Sequence, residues 1–328
     1  MTVQWDRVDI RTGEGEVVSA VAPVVVSASR ATDIPAFHSQ WLMNRLKAGY
    51  ARWVNPFNGA SQYVSFSRTR LLVFWSKNPE PLFPFLDEIE GLGLNYFFHI
   101  TLNDYDHEKL EPNVPELARR VDSFISLSER IGRQRVLWRF DPLVISEEIT
   151  PDKLIQKVNR VGSLIHQYTS RLTVSFLSPY PKVVQRSRRK AFTFHEVTES
   201  QSQLIMAAVK HMAASWNLEF CTCAEKRDFS GLGISRGRCI DERHVAEVFS
   251  HDYELMRFLN PQWHPDLFGS DSFRKGLRDT GQRKECGCMK SKDIGRYNTC
   301  PHECVYCYAN ASSDRLRNFD RNCDLLGA

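Results

Sequence analysis

The chain has 328 residues, of which 42% are hydrophobic and 25% are charged, and its formal net charge is +4. These values are ordinary for a globular protein with a sizeable core. The charge is too small to indicate a dedicated nucleic-acid binder. The longest apolar runs have the length of strands rather than of a membrane span, and no N-terminal segment has the pattern of a secretory signal. We therefore expect a cytoplasmic protein without a membrane partner.

From about residue 20, short apolar strands alternate with helical stretches. The strands are predicted at residues 23–27, 51–54, 71–75, 96–102, 135–140, 172–177 and 218–223. The helices are predicted at residues 41–48, 82–92, 114–131, 151–168 and 198–215. Strands that alternate with helices in this way indicate parallel strands joined by helical crossovers.

This pattern predicts an α/β fold, and we expect a complete or partial (β/α) barrel of the TIM type. An open doubly wound sheet is the alternative. Residues 1–225 are assigned to a barrel-like catalytic domain. After residue 225 the periodicity fades while glycine, arginine and cysteine become more frequent. We interpret residues 226–328 as a cysteine-rich C-terminal segment that a metal organises.

Polar side chains follow the predicted strands at their C-terminal ends, where barrel enzymes build their active sites. The set is Arg30, Asp33, Asn55, Lys77, Asn78, Asn103, Arg139 and Asp141. We predict that they converge on one mouth of the barrel. Asn78, Arg139 and Asp141 are candidates for cofactor binding, because guanidinium and amide groups can hold carboxylate or ribose groups. Alternatively, Arg139 and Asp141 only pair with each other.

The nine cysteines are too many and too clustered for buried packing residues, and their odd number fits disulfides poorly. Cys300, Cys304 and Cys307 stand at the spacing C-x3-C-x2-C. Three thiolates on one loop can bind one cubane iron–sulfur cluster and leave its remaining iron open. The alternative is a structural zinc site with His302, Cys286 or Cys288 as the fourth ligand.

This motif, with an aromatic residue before its last cysteine, resembles the signature of the radical S-adenosylmethionine superfamily. The resemblance implies an enzyme with a [4Fe-4S] cluster on Cys300, Cys304 and Cys307. It also implies that S-adenosylmethionine is cleaved to a 5′-deoxyadenosyl radical, with an electron from a donor such as flavodoxin or ferredoxin. Tyr306 takes the position that the superfamily places beside the adenine.

The string from Tyr297 to Ala309 is similar to the DNA repair photolyase (spore photoproduct lyase-like) branch. The whole chain resembles the bacterial family of unknown function DUF1848, through the segments SRATDIP at 29–35, NPFN at 55–58, FWSKNP at 74–79 and WRFDP at 138–142. The substrate is unknown, and a nucleic acid is one candidate by analogy. The competing hypothesis is a non-catalytic zinc- or iron–sulfur-binding protein that binds nucleic acid.

The position of the motif near the C-terminus departs from the superfamily, in which the cysteine loop follows the first barrel strand. A circular permutation would account for this, with residues 293–297 as the first strand and residues 309–317 as its helix. The strand at Val24 would then be second in the barrel. Otherwise the loop folds over the barrel mouth.

The remaining cysteines predict a second metal site. Cys221 and Cys223 share one face of a strand, and together with Cys239 and one of Cys286 or Cys288, with Cys288 as our choice, they can bind a second iron–sulfur cluster. The alternative is that Cys221 and Cys223 pack in the barrel interior. Cys323 is expected to be a free thiol.

Overall fold

The computed structural model describes residues 3–263, 273–310 and 319–327. The strands are β1 (Asp6–Arg11), β2 (Val17–Ala22), β3 (Val25–Ser27), β4 (Tyr50–Val54), β5 (Ser61–Ser65), β6 (Leu71–Ser76), β7 (Asn95–Thr101), β8 (Val136–Leu143), β9 (Arg171–Phe176), β10 (Glu219–Cys223), β11 (Ser235–Gly237) and β12 (Lys292–Asp293). The helices are α1 (Ile34–Phe37), α2 (Ser39–Ala48), α3 (Leu86–Gly91), α4 (Leu117–Ile131), α5 (Pro151–Ile165), α6 (Pro181–Arg189), α7 (Glu199–Ser215), α8 (Glu242–Val248) and α9 (Tyr253–Leu259). None of the helices in these ranges is both long enough and apolar enough to cross a bilayer.

The main sheet has eight strands in the order β11-β10-β9-β8-β7-β6-β3-β12. All of its pairings are parallel, which confirms the α/β class. From β3 to β11 the strands follow one another in chain order, so the sheet lacks the reversal that defines a doubly wound fold. The outermost strands, β11 and β12, do not pair with each other within the described ranges.

The two faces of this sheet pack against different helices. Alternate strand residues such as Leu72, Phe98 and Trp138 lie in one core with α2, α4, α5 and α7. The residues between them, such as Val73, Phe97 and Leu137, pack on the other face against α8 and α9. Both faces are therefore apolar over most of the sheet, which explains the near-continuous hydrophobic strands.

A second, four-stranded sheet has the order β1-β2-β5-β4. Our assignment of residues 51–54 to the parallel series is wrong, because β4 pairs antiparallel with β5. An apolar run identifies a strand but not its partner. Asn55 is thereby removed from the predicted barrel mouth. It begins a tight turn, in which its side chain accepts a hydrogen bond from the Phe57 N–H at 2.9 Å.

The short strand β12 joins the cysteine-rich segment to the main sheet. Lys292 pairs with Val26 and Asp293 pairs with Ser27, both in parallel register. The predicted strand at residues 293–297 is thus shorter and begins one residue earlier. The strand at Val24 is its direct neighbour, as predicted. The predicted helix at residues 309–317 lies almost entirely outside the described residues.

Candidate metal and cofactor site

The parallel direction of β12 brings the following loop to the C-terminal end of the main sheet. The Asp293 carboxylate accepts hydrogen bonds from the Arg30 N–H and the Gly295 N–H, both at 2.8 Å. A Cβ atom at Gly295 would lie 1.9 Å from Ser29 Oγ, so only glycine fits there. The segments that follow β3 and β12 therefore pack directly against each other.

Residues 300–307, the cysteine loop, rest on two loops that follow strands of the same sheet. The ring of His38 contacts the Thr299 carbonyl through Nε2 at 2.8 Å. From the loop after β7, the Asn113 side chain donates to the Pro301 carbonyl at 2.8 Å. The Val305 N–H donates to the Leu110 carbonyl at the same distance. These backbone contacts fix the loop over the strand ends.

The three thiols of the cysteine loop interact with one another, and Cys304 is buried while Cys300 and Cys307 are half-buried. Burial raises the pKa of Cys304 well above its ordinary value, against the opposing effect of the Lys77 ammonium, and the Cys307 and Cys300 thiols add to the rise. Burial, together with the Asp33 carboxylate, raises the pKa of Cys300 to about 12. The backbone N–H groups of His302 and Asp33 also interact with the Cys300 thiol. Thiolates at these positions need a cation or a metal to form.

His302, a candidate fourth zinc ligand, is already engaged. Its Nε2 lies 2.8 Å from Asp33 Oδ2, and its Nδ1 lies 3.2 Å from the Asn113 carbonyl oxygen. Both ring nitrogens of His302 thus contact oxygen atoms of Asp33 and Asn113. His302 therefore holds the loop, and its ring would have to leave these contacts to bind a metal.

Asp33 connects the cysteine loop to the strands β3 and β6. Besides His302, its carboxylate accepts hydrogen bonds from the Ser76 hydroxyl at 2.7 Å, the Lys77 N–H at 2.7 Å and the Ala36 N–H at 3.0 Å. Asp33 is buried, and its last contact caps helix α1. One carboxylate thus fixes the end of β6, the start of α1 and the cysteine loop.

Replacing Asp33 with alanine is expected to lower the free energy of unfolding by about 2 kcal/mol or more, because it removes a cap and leaves buried donors without an acceptor. Urea unfolding followed by circular dichroism measures this loss. Asp87→Ala is the control, because the Asp87 side chain is 89% exposed in its ion pair with Arg130. Asp87→Ala should lower the free energy of unfolding by about 1 kcal/mol at most. Equal losses in the two variants would contradict the role of Asp33.

Tyr306 belongs to a buried polar network next to Cys304. Its hydroxyl hydrogen-bonds Glu111 and accepts from Lys77 Nζ at 3.0 Å and Asn103 Nδ2 at 3.1 Å. Lys77 Nζ also lies 2.7 Å from Glu111 Oε1. Burial opposes ionisation of Glu111, but the Lys77 and Arg120 cations outweigh burial and hold the pKa of Glu111 below its usual value. The network therefore contains a charged Lys–Glu pair.

Arg139 and Asp141 form a neighbouring group at the end of β8. The two side chains are engaged with each other, and Asp141 also accepts a hydrogen bond from the Ser175 hydroxyl. Arg139 Nη1 donates in addition to Cys239 Sγ at 2.9 Å. Asn103 links this group to Tyr306, because its Oδ1 accepts from the Asp141 N–H at 2.9 Å. Asn78 lies just after the end of β6, where its N–H donates to the Ser76 hydroxyl at 3.0 Å.

Sequence reasoning did not select Glu111, Asn113 or His38, which contact the cysteine loop or the residue before it. Glu111 and Asn113 lie in the loop after β7, so the strand-end rule that selected Lys77 and Asn103 applies to them as well, whereas His38 stands between α1 and α2. Their contacts with the cysteine loop join residues about 190 or more positions apart in the chain. No local pattern contains that information.

A family model described as Domain of unknown function (DUF1848) matches residues 25–309. The match covers most of the chain, and the chain therefore belongs to this family. The matched range begins at β3 and ends just beyond Cys307, so it includes the main sheet, β12 and the cysteine loop. No curated protein matches the chain.

Proposed function

We propose that this protein is a radical S-adenosylmethionine enzyme whose [4Fe-4S] cluster is bound by Cys300, Cys304 and Cys307. The observation that carries the proposal is the pairing of β12 with β3, which sets the cysteine loop at the C-terminal end of an edge strand of a parallel sheet. Active sites of α/β barrels lie at this end.

The number of donors fits such a cluster better than a single zinc ion, because the loop offers three cysteine thiols. A structural zinc site requires four donors around one point. A cubane cluster has four irons, and three thiolates each bind a different one of them. When bound, the cluster supplies an electron and an iron with a free position, which reductive cleavage of the S–C5′ bond of S-adenosylmethionine requires.

The residues around the loop have defined roles in this proposal. His302 and Asp33 hold the loop through their mutual contact at 2.8 Å. The Lys77 ammonium stabilises negative charge at Cys304. N–H groups directed at a cluster sulfur, such as those of Asp33 and His302 at Cys300, tune the reduction potential. Arg139 and Asp141 are engaged with each other, so we propose that they shape the cavity rather than bind a carboxylate.

The proposal also explains the chain order. With β12 taken as the first strand and β3 as the second, the main sheet has the order of a partial barrel whose cysteine loop follows its first strand. The fold would then be a circular permutation of the superfamily arrangement.

The activity is tested with anaerobically purified protein reconstituted with iron and sulfide. We expect 5′-deoxyadenosine and methionine to form when S-adenosylmethionine and dithionite are both present, and not when the reductant is omitted. A substrate is not needed for this slow, uncoupled cleavage. Quantification by liquid chromatography and mass spectrometry checks the result. Protein that carries a full cluster but yields no 5′-deoxyadenosine would contradict the proposal.

A further inference from the structure

Four cysteine thiols meet at a second place, away from the cysteine loop. Cys223 Sγ and Cys239 Sγ are 3.4 Å apart. The Cys239 N–H donates to Cys288 Sγ at 3.1 Å, and the thiols of these two residues also interact. The Cys288 thiol interacts in turn with that of Cys286. Four side chains from three separate segments thus form one contiguous thiol cluster.

The cluster lies where the two edges of the main sheet approach each other. Cys223 ends β10, Cys239 follows β11, and Cys286 and Cys288 precede β12. Between these segments the Met289 N–H donates to the Ile240 carbonyl at 2.9 Å. A group bound by the four thiols would therefore link β11 to β12, which the backbone does not pair in the described residues.

Two buried cations face the thiol cluster. Arg139 donates to Cys239 at 2.9 Å and also hydrogen-bonds the Cys223 thiol. The Arg30 guanidinium interacts with Cys288 and Cys239, and its Nη2 is buried with no hydrogen-bond partner in the described part of the chain. A [2Fe-2S] core on four thiolates has a net charge of about −2. The guanidinium groups of Arg30 and Arg139, the second of which also pairs with Asp141, would face that negative charge.

The four thiols form a row in which each contacts the next: Cys223 contacts Cys239, Cys239 contacts Cys288, and Cys288 contacts Cys286. The two ends of this row, Cys223 with Cys239 and Cys286 with Cys288, supply two thiols each. A [2Fe-2S] cluster has two irons, each of which takes two ligands. We propose that Cys223, Cys239, Cys286 and Cys288 bind a [2Fe-2S] cluster that is separate from the site on the cysteine loop.

Cys221 does not belong to the thiol cluster, although the sequence analysis grouped it with Cys223. Its thiol contacts Thr173 Oγ1 at 3.5 Å and packs where a Cβ at Gly237 would be. Cys286 takes its place among the four. Since Cys221 stands on the same strand and is buried, Cys221→Ser is a matched control for substitutions of the ligands.

The test uses full-length protein in which Cys300, Cys304 and Cys307 are all serine, so the outcome does not depend on the proposed function. After anaerobic reconstitution we expect about two irons and two sulfides per chain, with the Mössbauer spectrum of a [2Fe-2S] centre. Adding Cys223→Ser and Cys239→Ser should reduce the iron and sulfide contents to near zero, whereas adding Cys221→Ser should leave both contents unchanged.

Native mass spectrometry of the unsubstituted protein provides a measurement that no folding defect can affect. We expect a mass increase equal to one [4Fe-4S] and one [2Fe-2S] cluster, or to the [2Fe-2S] cluster alone if the proposed function is wrong. A single zinc ion at the four cysteines, a Cys223–Cys239 disulfide in anaerobically isolated protein, or the absence of any bound group there would overturn the inference.

Discussion

Cys304→Ala is expected to remove the [4Fe-4S] cluster and to abolish formation of 5′-deoxyadenosine. Cys304 is the most deeply buried thiol of the cysteine loop, and it is the one that faces the Lys77 ammonium. Loss of one of three ligands should prevent stable assembly of the cubane. Total iron, measured by colorimetric assay after reconstitution, should therefore fall by about four per chain, while the iron of the second site should remain.

The control for this substitution is Cys323→Ala. Cys323 is half-buried, and its thiol contacts only Asp324 Oδ1, at 3.9 Å, among the interactions of the described residues. It lies outside both thiol groups, so iron content and product formation should match those of the unsubstituted protein. Retention of the cubane in Cys304→Ala would show that Cys304 is not a ligand. Loss of it in Cys323→Ala would show that the set of three is incomplete.

Glu111→Ala is expected to lower the free energy of unfolding by about 3 to 5 kcal/mol, because it leaves Lys77 as a buried cation without its counter-ion. Glu111 and Lys77 are 2.7 Å apart, and the Glu111 side chain is only 1% exposed. Arg120 retains a second partner, Asp106, at 2.5 Å. Urea unfolding at neutral pH measures the loss.

The effect of Glu111 depends on pH with a definite sign. Because the pKa of Glu111 is below its usual value in the folded state, its stabilising contribution is complete at neutral pH. That contribution is lost as the pH falls below the unfolded pKa of about 4.3 toward the lower folded value. The difference in stability between the unsubstituted protein and Glu111→Ala should therefore shrink on acidification.

Glu80→Ala is the matched control for Glu111. Glu80 pairs with Arg119 at 3.0 Å, but the two side chains are 43% and 66% exposed. An exposed pair of this kind contributes little to stability. If Glu111→Ala costs no more than Glu80→Ala, the buried network does not hold the cysteine loop in place.

The strands β6, β7, β8 and β9 were predictable because each is a continuous apolar run that ends in polar residues. Helices α4, α5 and α7 were predictable from their length and apolar periodicity. The β1–β2 hairpin was missed, since β1 has no buried residue and only the last three residues of β2 are buried. The antiparallel partner of β4 was missed for a different reason. Strand pairing depends on the tertiary fold, which a run of apolar residues does not specify.

The candidate site could likewise be predicted from the sequence only in part. The spacing of Cys300, Cys304 and Cys307 and the strand-end positions of Lys77, Asn103 and Arg139 are local features, so the sequence contained them. The contact of Asp33 with His302 joins residues 269 positions apart, and it depends on the pairing of β12 with β3. The choice of Cys286 over Cys221 likewise depends on how the edges of the sheet meet.

The central claim is that three cysteines bind a cubane whose fourth iron is open to S-adenosylmethionine. Electron–nuclear double resonance of the reduced protein tests it most directly, with S-adenosylmethionine labelled with nitrogen-15 in its amino group and oxygen-17 in its carboxylate. Direct binding to the open iron predicts hyperfine coupling of both labels to the cluster spin. A reduced cubane that shows no coupling to either label, or a fourth protein ligand on that iron, would contradict the account.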